Sequence, residues 1–237
     1  MLFGIIAAND QGVAMATDPL APFRWLAVPA GHEDNLFDEI FCVSFLRGLE
    51  PAEVLRRFAK PEARQGTPQG LPQGREMSLD EYGHAAFEFG DRYCGALGGG
   101  HVGVVQAGDW CVALELFGWE AAMGDTLARL SSGCEVLAVL RHDYANHHVA
   151  YAIDGETVTG FNPHWPDKRS GCDPDRLNPF MREVGLPLEP ATGGDDRHDL
   201  YATAIARSFH LAARITGVVL TPDMLTGPLL VGPVRGT

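Results

Sequence analysis

The chain has 237 residues, with 18 Lys and Arg against 31 Asp and Glu, so its formal net charge is −13 with neutral histidines. This acidity argues against a partner held mainly through phosphate charge, because proteins that bind nucleic acid usually present a basic face. Hydrophobic residues make up 46% of the chain. That share suffices for one large core or two small ones without a disulfide or metal. Composition therefore indicates a self-sufficient soluble protein and no particular chemistry.

The cysteines and the N-terminus bear on the cellular compartment. The 5 cysteines are an odd number without any CxxC pair, which is typical of reduced, mostly buried side chains. The apolar segment 1–8 follows no basic residue and is interrupted at Asn9, so it predicts neither a secretory signal nor a membrane span. We therefore expect a cytoplasmic protein. Met15 offers an alternative start, which would make residues 1–14 dispensable.

Two helices are predicted early in the chain. The run Asp34–Arg47 is apolar over more than one stripe at helical spacing, which predicts a deeply buried helix that Gly48 ends. Pro51 then opens a short second helix. Acidic residues oppose the only basic pair on it, Arg56 and Arg57, so the two helices do not predict DNA binding.

The segment 60–77 is rich in Gln, Gly and Pro in an imperfect tetrapeptide repeat. It lacks apolar periodicity and cannot offset chain entropy by burial, so it predicts a mobile linker or insertion. Ser78 and Glu81 then have the spacing of a helix capping box, which predicts a short helix that ends near Gly90.

The strand signals lie in the middle of the chain. Five β-rich runs are Val102–Gln106, Trp110–Leu116, Glu135–Arg141, His147–Ile153 and Glu156–Phe161. Turn residues join the first pair and the last pair as hairpins, the latter through Asp154-Gly155. A short helix closed by Gly133 precedes the third strand, and two amphipathic helices follow the fifth, the second ending before Gly217. The pattern predicts an α+β fold: a mostly antiparallel sheet of about five strands, flanked by N- and C-terminal helices.

Several of these segments also carry a family resemblance. They are Leu36–Ala59, Gly108–Trp119 (GDWCVALELFGW), Leu127–Gly133, Tyr151–Phe161 (YAIDGETVTGF) and Asp173–Gly185. In this order they resemble the domain-of-unknown-function family 6461, from filamentous high-GC bacteria. The resemblance covers about residues 33–225 and implies a single domain without an assigned activity. Residues 1–32 are then an N-terminal extension, 60–77 an insert, and 226–237 a C-terminal tail.

Nucleotide binding and nucleophilic catalysis find little support in the motifs. The segment Gly98–Gly103 has the letters GxGxxG, but it precedes a strand instead of opening a helix, as a dinucleotide loop must. No GxSxG elbow is present, and Ser131-Ser132 is more simply the end of a helix. We therefore expect no cofactor.

A histidine-rich loop is the one candidate for metal chemistry. His142, Asp143 and His147 fall between two predicted strands, where they could converge on a divalent ion. His148 would point to the opposite face from His147, because successive strand residues alternate. The loop alone leaves a metal site incomplete. It supports, as an alternative function, a hydrolase that works with or without a metal ion at this loop.

The preferred hypothesis is non-catalytic recognition of another protein. Trp119 and Trp165 lie in turn-like contexts and could be exposed anchors, and Arg141 could add a bidentate contact at a strand end. An accessory, regulatory or immunity-like role would fit such a module, with neither nucleic acid nor membrane as its partner. Acidic residues around Asp38 and Glu39, placed on the first predicted helix, would suit a basic partner or simply remain solvated.

Overall fold

The computed structural model describes residues 18–29, 32, 35–60, 74–93, 98–190 and 193–234. One open antiparallel sheet of 8 strands runs through the molecule, in the order β2-β8-β3-β4-β1-β5-β6-β7. The strands are β1 (Phe41–Arg47), β2 (Arg75–Met77), β3 (His101–Ala107), β4 (Trp110–Leu116), β5 (Glu135–Arg141), β6 (His148–Ile153), β7 (Glu156–Phe161) and β8 (Leu229–Pro233). The α-helices are α1 (Pro51–Phe58), α2 (Leu79–Arg92), α3 (Gly124–Leu130), α4 (Asn178–Glu183) and α5 (Gly194–Thr216).

The sheet separates two hydrophobic clusters, so the fold has three layers. One cluster joins the sheet to α2, α4, α5 and a 3₁₀ helix at Ala21–Ala27. The other joins it to α1, α3 and a 3₁₀ turn at Glu120–Ala122. The α+β class is therefore confirmed, with helices covering both faces of the sheet.

The predicted first helix is wrong, because Phe41–Arg47 is the central strand β1. Phe41, Val43 and Phe45 pack into one cluster, while Cys42 and Leu46 pack into the other. A strand buried on both faces lacks the alternation of apolar and polar residues that reveals a half-buried strand. The prediction that Asp38 and Glu39 lie on a helix is therefore also wrong, since both lie in the irregular segment before β1.

The predicted strand count is also corrected, from about five to 8. The five predicted strands are present. The three others are β1, β2 and β8, and β8 bridges β2 and β3. Strand β2 lies at the end of the predicted 60–77 insert and β8 within the predicted tail. Both are too short to show a period, so their partners in the sheet define them.

Local signals located the other elements. Ser78 and Glu81 form the capping box at the start of α2. The turn between β6 and β7 has positive φ at Asp154 (49°) and Gly155 (84°), as a tight I′ hairpin requires. Helix α5 ends at Gly217 in the left-handed conformation, with φ of 75°. These signals depend on a few adjacent residues and needed no tertiary information.

Two predicted segments lie outside the residues that the structure describes. They are the dispensable extension 1–14 and positions 61–73 of the insert.

The described cysteines are all unpaired. Cys42 and Cys111 are buried, Cys134 is half-buried, and Cys172 is exposed. Within the described ranges, none of the helices is long and apolar enough to cross a membrane.

Candidate functional site

A cleft of about 360 Å³ opens where β5 ends, and we call it the ring-lined cleft. The loop between β5 and β6 forms one wall and the first turns of α5 form the other. Its lining residues are Ala27, Glu39, Arg141, His142, Asp143, His147, His164, Tyr201, Ala202 and Ile205. The structure thus brings Arg141, His142, Asp143 and His147 together in one cleft.

Arg141 is held at the base of this cleft. Its Nη1 donates hydrogen bonds to the carbonyl oxygens of Leu26 (3.0 Å) and Val28 (2.9 Å), and the guanidinium lies 5.9 Å from the centre of the Phe41 ring. Burial lowers its pKa, although an arginine remains charged. None of the described carboxylates lies within ion-pair distance of it, but Glu39 and Asp38 interact with its charge at longer range, and Glu39 lines the same cleft. Arg141 is therefore a half-buried cation that forms no direct ion pair with the described carboxylates.

Hydrogen bonding fixes the state of His147. The main-chain N–H of His142 donates to His147 Nδ1 at 3.1 Å, so the proton of the neutral ring lies on Nε2. Burial, reinforced by His164 and Arg141, lowers the pKa of His147 to about 4. The ring is consequently neutral at pH 7 and acts as an N–H donor without charge. His148, by contrast, begins β6, packs beside Gly160 and does not line the cleft.

His164 is the most buried ring of the cleft, at 7% exposure. It stacks on Tyr201 with ring centres 4.1 Å apart and meets the edge of His147 at 4.7 Å. Burial lowers its pKa, and its buried Nδ1 has no hydrogen-bond partner among the described residues. Asp143 Oδ1 in the same lining also lacks such a partner, so the described fold leaves two buried polar atoms of the cleft without a hydrogen bond.

The two predicted tryptophan anchors lie at different ends of this row of rings. Trp165 is 38% exposed and contacts both His164 and Tyr201, which is itself 39% exposed. Trp119 is only half-buried, with its ring 5.8 Å from His142, but it packs against the hydrophobic cluster on the α1 side of the sheet. The expectation of an exposed anchor therefore fits Trp165, whereas Trp119 supports the cleft from behind.

The loop side chains are engaged with one another. His142 Nδ1 lies against the Asp143 carboxylate, whose Oδ1 forms no hydrogen bond, and His147 Nδ1 accepts the hydrogen bond from the loop backbone. Within the described ranges, no group of three His, Cys, Asp or Glu residues could hold a metal ion. The cleft lining described above also includes no Ser, Thr or Cys that could act as a nucleophile.

No sequence pattern singles out His164 or Tyr201 as a site residue. His164 directly precedes Trp165 in the same turn. Tyr201 lies on α5, which the sequence predicts only as an amphipathic helix. These two come near His147 only because α5 and the turn after β7 fold across the end of β5, and no local pattern records that approach.

A second buried polar group, also missed, lies away from the cleft. Glu115 on β4 is 1% exposed and accepts hydrogen bonds from the main-chain N–H groups of Glu120 and Ala121, both at 2.8 Å. Burial raises the pKa of its carboxyl to about 8. Its two bonds secure the 3₁₀ turn after β4, which is a structural role.

Fold and cleft together define an α+β protein with a central antiparallel sheet and a polar, ring-lined cleft at one end of β5. Residues 20–228 match the model of the Family of unknown function (DUF6461), and the chain belongs to this family. The match confirms the resemblance seen in the sequence and extends it at both ends. Neither a curated protein nor a solved structure matches the chain.

Proposed function

We propose that the protein is a non-catalytic recognition module whose ring-lined cleft receives an acidic side chain of another protein in the cytoplasm. The observation that carries the proposal is the half-buried Arg141, which lines the cleft and forms no ion pair with a described carboxylate. A carboxylate in the cleft would meet a charged donor and the neutral Nε2–H of His147. Charge-assisted hydrogen bonds of this kind are the strong ones.

The rim of the cleft suits a protein segment better than a free ion. Trp165 and Tyr201 present exposed rings 6.0 Å apart, arranged edge to face. Exposed aromatic side chains next to a half-buried arginine are the residue types that dominate protein-binding hot spots. A regulatory or accessory role follows from recognition without chemistry.

Arg57 provides a matched control on the opposite face of the sheet. Like Arg141 it is half-buried and donates Nη1 hydrogen bonds to two carbonyl oxygens, those of Leu130 (2.8 Å) and Ser132 (2.7 Å). Unlike Arg141, it pairs with a carboxylate, that of Glu53, at 2.7 Å. The two arginines therefore share a structural role and differ in the availability of charge for a ligand.

The test uses two arrays of blocked octapeptides, one with a single Glu in each peptide and one with Gln in its place. We expect Glu peptides to bind at least about tenfold more tightly than their Gln partners, since a hydrogen bond to a charged group is worth about 1.5–3 kcal/mol. The substitution Arg141→Gln should remove this preference, whereas Trp165→Ala should weaken the binding of both peptides of a pair. Arg57→Gln should leave it unchanged.

Three results would overturn the proposal. The first is equal binding of the Glu and Gln peptides. The second is an equal loss of the preference in the Arg57→Gln control. The third is competition by inorganic phosphate as effective as the peptides themselves, which would identify a small-anion site instead of a protein-binding one.

The rival function, a hydrolase that uses His142, Asp143 and His147, would have to activate water directly. The neutral His147 is the described side chain best suited to that task, because His142 and Asp143 are paired with each other. Mass spectrometry of the peptides after long incubation distinguishes the functions. Cleavage that His147→Asn abolishes would favour the hydrolase over recognition.

A further inference from the structure

A second, larger depression of about 970 Å³ lies beside the N-terminal half of α2, and we call it the apolar groove. It runs between α2, the end of β4 and a 3₁₀ turn at Pro222–Leu225. Its apolar lining includes Leu36, Phe37, Leu79, Phe87, Phe117 and Leu225. Phe87 is 63% exposed and Leu36 is 41% exposed, so large hydrophobic side chains remain open to solvent here.

Gly83 forms part of the groove lining where α2 passes over Leu116. Glycine in a helix interior destabilises the helix relative to alanine, because it loses more backbone freedom on folding. Packing does not require it here: a Cβ at this position would meet only the Leu116 Cδ1, at 4.0 Å. A residue that departs from local preference without a structural cause is expected at a functional surface, and here it keeps the groove deep.

The charges at the groove mouth are negative. Asp38 and Asp80 line it, and the Asp80 side chain is 89% exposed. His84 is the lone basic side chain among the described lining residues, and its pKa is raised by the Asp80 main-chain hydrogen bond and charge. Glu81 and Glu88 add to the exposed acidic face of α2. The groove is therefore apolar at its base and acidic at its rim.

We infer that the apolar groove binds a basic amphipathic segment of another protein, with apolar side chains in the groove and Lys or Arg at the acidic rim. Helix-in-groove recognition of this type uses apolar anchors at i, i+3, i+4 and i+7. A second copy of this chain fits less well, because each copy would bring its own Asp38 and Asp80 and a net charge of −13. This surface borders the ring-lined cleft at the segment 35–39 but has a different lining, and it adds a second recognition site.

The probe is a synthetic 14-residue helix of Leu and Lys, with Leu at i, i+3, i+4 and i+7, compared with the same helix carrying Glu for Lys. We expect the Lys peptide to bind in fluorescence anisotropy and the Glu peptide to bind at least about tenfold more weakly. Raising the salt to about 0.5 M should weaken the Lys peptide severalfold, since exposed charges are screened.

Two matched variants differ only in the side chain that they place at position 83. Gly83→Trp fills the groove and should reduce binding at least tenfold, whereas Gly83→Ala should keep it within twofold. Asp80→Asn should weaken it about two- to fivefold, and Arg57→Gln on the opposite face of the sheet should leave it unchanged. Circular dichroism and thermal unfolding confirm that each variant is folded.

Four outcomes would contradict the inference. The first is that the wild-type protein does not bind the Lys peptide, and the second is that it binds the Glu peptide equally tightly. The third is that Gly83→Trp binds the Lys peptide as tightly as the wild type does. The fourth is that sedimentation shows a dimer that Gly83→Trp dissociates, which would make a second copy the occupant. None of these outcomes affects the cleft, where the peptide arrays and Arg141→Gln give a separate answer.

Discussion

The ring-lined cleft and the apolar groove share one wall and are built in opposite ways. The irregular segment Asn35–Glu39 separates them: Glu39 lines the cleft, and Asp38 lines the groove. The cleft, at about 360 Å³, is lined with polar rings, two carboxylates and Arg141, and Arg141 and His147 form hydrogen bonds inside the fold. The groove, at about 970 Å³, leaves apolar side chains open to solvent.

The residues of the two sites also differ in how much they contribute to the free energy of unfolding. In the cleft, Arg141 and His147 contribute to stability through their own hydrogen bonds, so recognition there uses groups that the fold also needs. In the groove, Phe87 and Gly83 contribute little or even reduce stability. We therefore expect substitutions in the cleft to affect both folding and binding, and those in the groove to affect binding alone.

The largest expected effect on stability is at Arg141. Arg141→Gln removes two charge-assisted hydrogen bonds and leaves the carbonyl oxygens of Leu26 and Val28 without them. We expect the free energy of unfolding to fall by about 2–3 kcal/mol, measured by urea denaturation. A loss below about 0.5 kcal/mol would show that the cleft is no more integral to the fold than the groove is.

The next effect is the pH dependence that His147 introduces. Its pKa is about 4 in the folded protein against 6.5 when unfolded, so the unfolded chain takes up the proton first as the pH falls. The contribution of neutral His147 to the free energy of unfolding is therefore complete above pH 6.5. It decreases by roughly 2 kcal/mol as the pH falls towards 4, after allowance for partial solvent access.

His147→Asn is the comparison for this prediction, because the Asn amide oxygen can accept the His142 N–H bond without titrating. Urea denaturation at about pH 7 and pH 4.5 should show the larger loss in the wild-type protein. Glu115 gives the opposite slope, with a folded pKa of about 8 against 4.5, but it acts equally in both proteins and cancels in the difference. Identical pH dependence in the two proteins would contradict the buried, neutral state of His147.

The smallest effect is expected at Phe87. Its ring is 63% exposed and meets Phe117 edge-on, with centres 6.3 Å apart. Phe87→Ala should change the free energy of unfolding by less than about 1 kcal/mol, because little area is returned to water. The double variant with Arg141→Gln should be additive within about 0.5 kcal/mol. A larger coupling would mean that Asn35–Glu39 links the two sites.

How much of the cleft could be predicted depends on distance along the chain. Arg141, His142, Asp143 and His147 stand close together in one loop, so their convergence was open to inference. His164 and Tyr201 come from a turn and a helix farther along, and their approach follows from the packing of α5 over the sheet. The apolar groove gave no sequence signal, since its walls come from three separate regions.

The sequence by itself determined the elements that are stabilised locally. The Ser78–Glu81 capping box, the Asp154-Gly155 turn and the helix stop at Gly217 each depend on backbone geometry that a few adjacent residues impose. The family was also evident in the sequence, and the match over residues 20–228 confirms it.

Only the tertiary structure decided that Phe41–Arg47 is a central strand and that Leu229–Pro233 completes the sheet. A segment apolar on both faces fits a buried helix or a buried strand equally well. The neighbouring strands β4 and β5 decide that this segment is a strand, because their main-chain groups pair with those of β1. The same holds for both sites, because a cleft or a groove is a property of the surfaces that packing brings together.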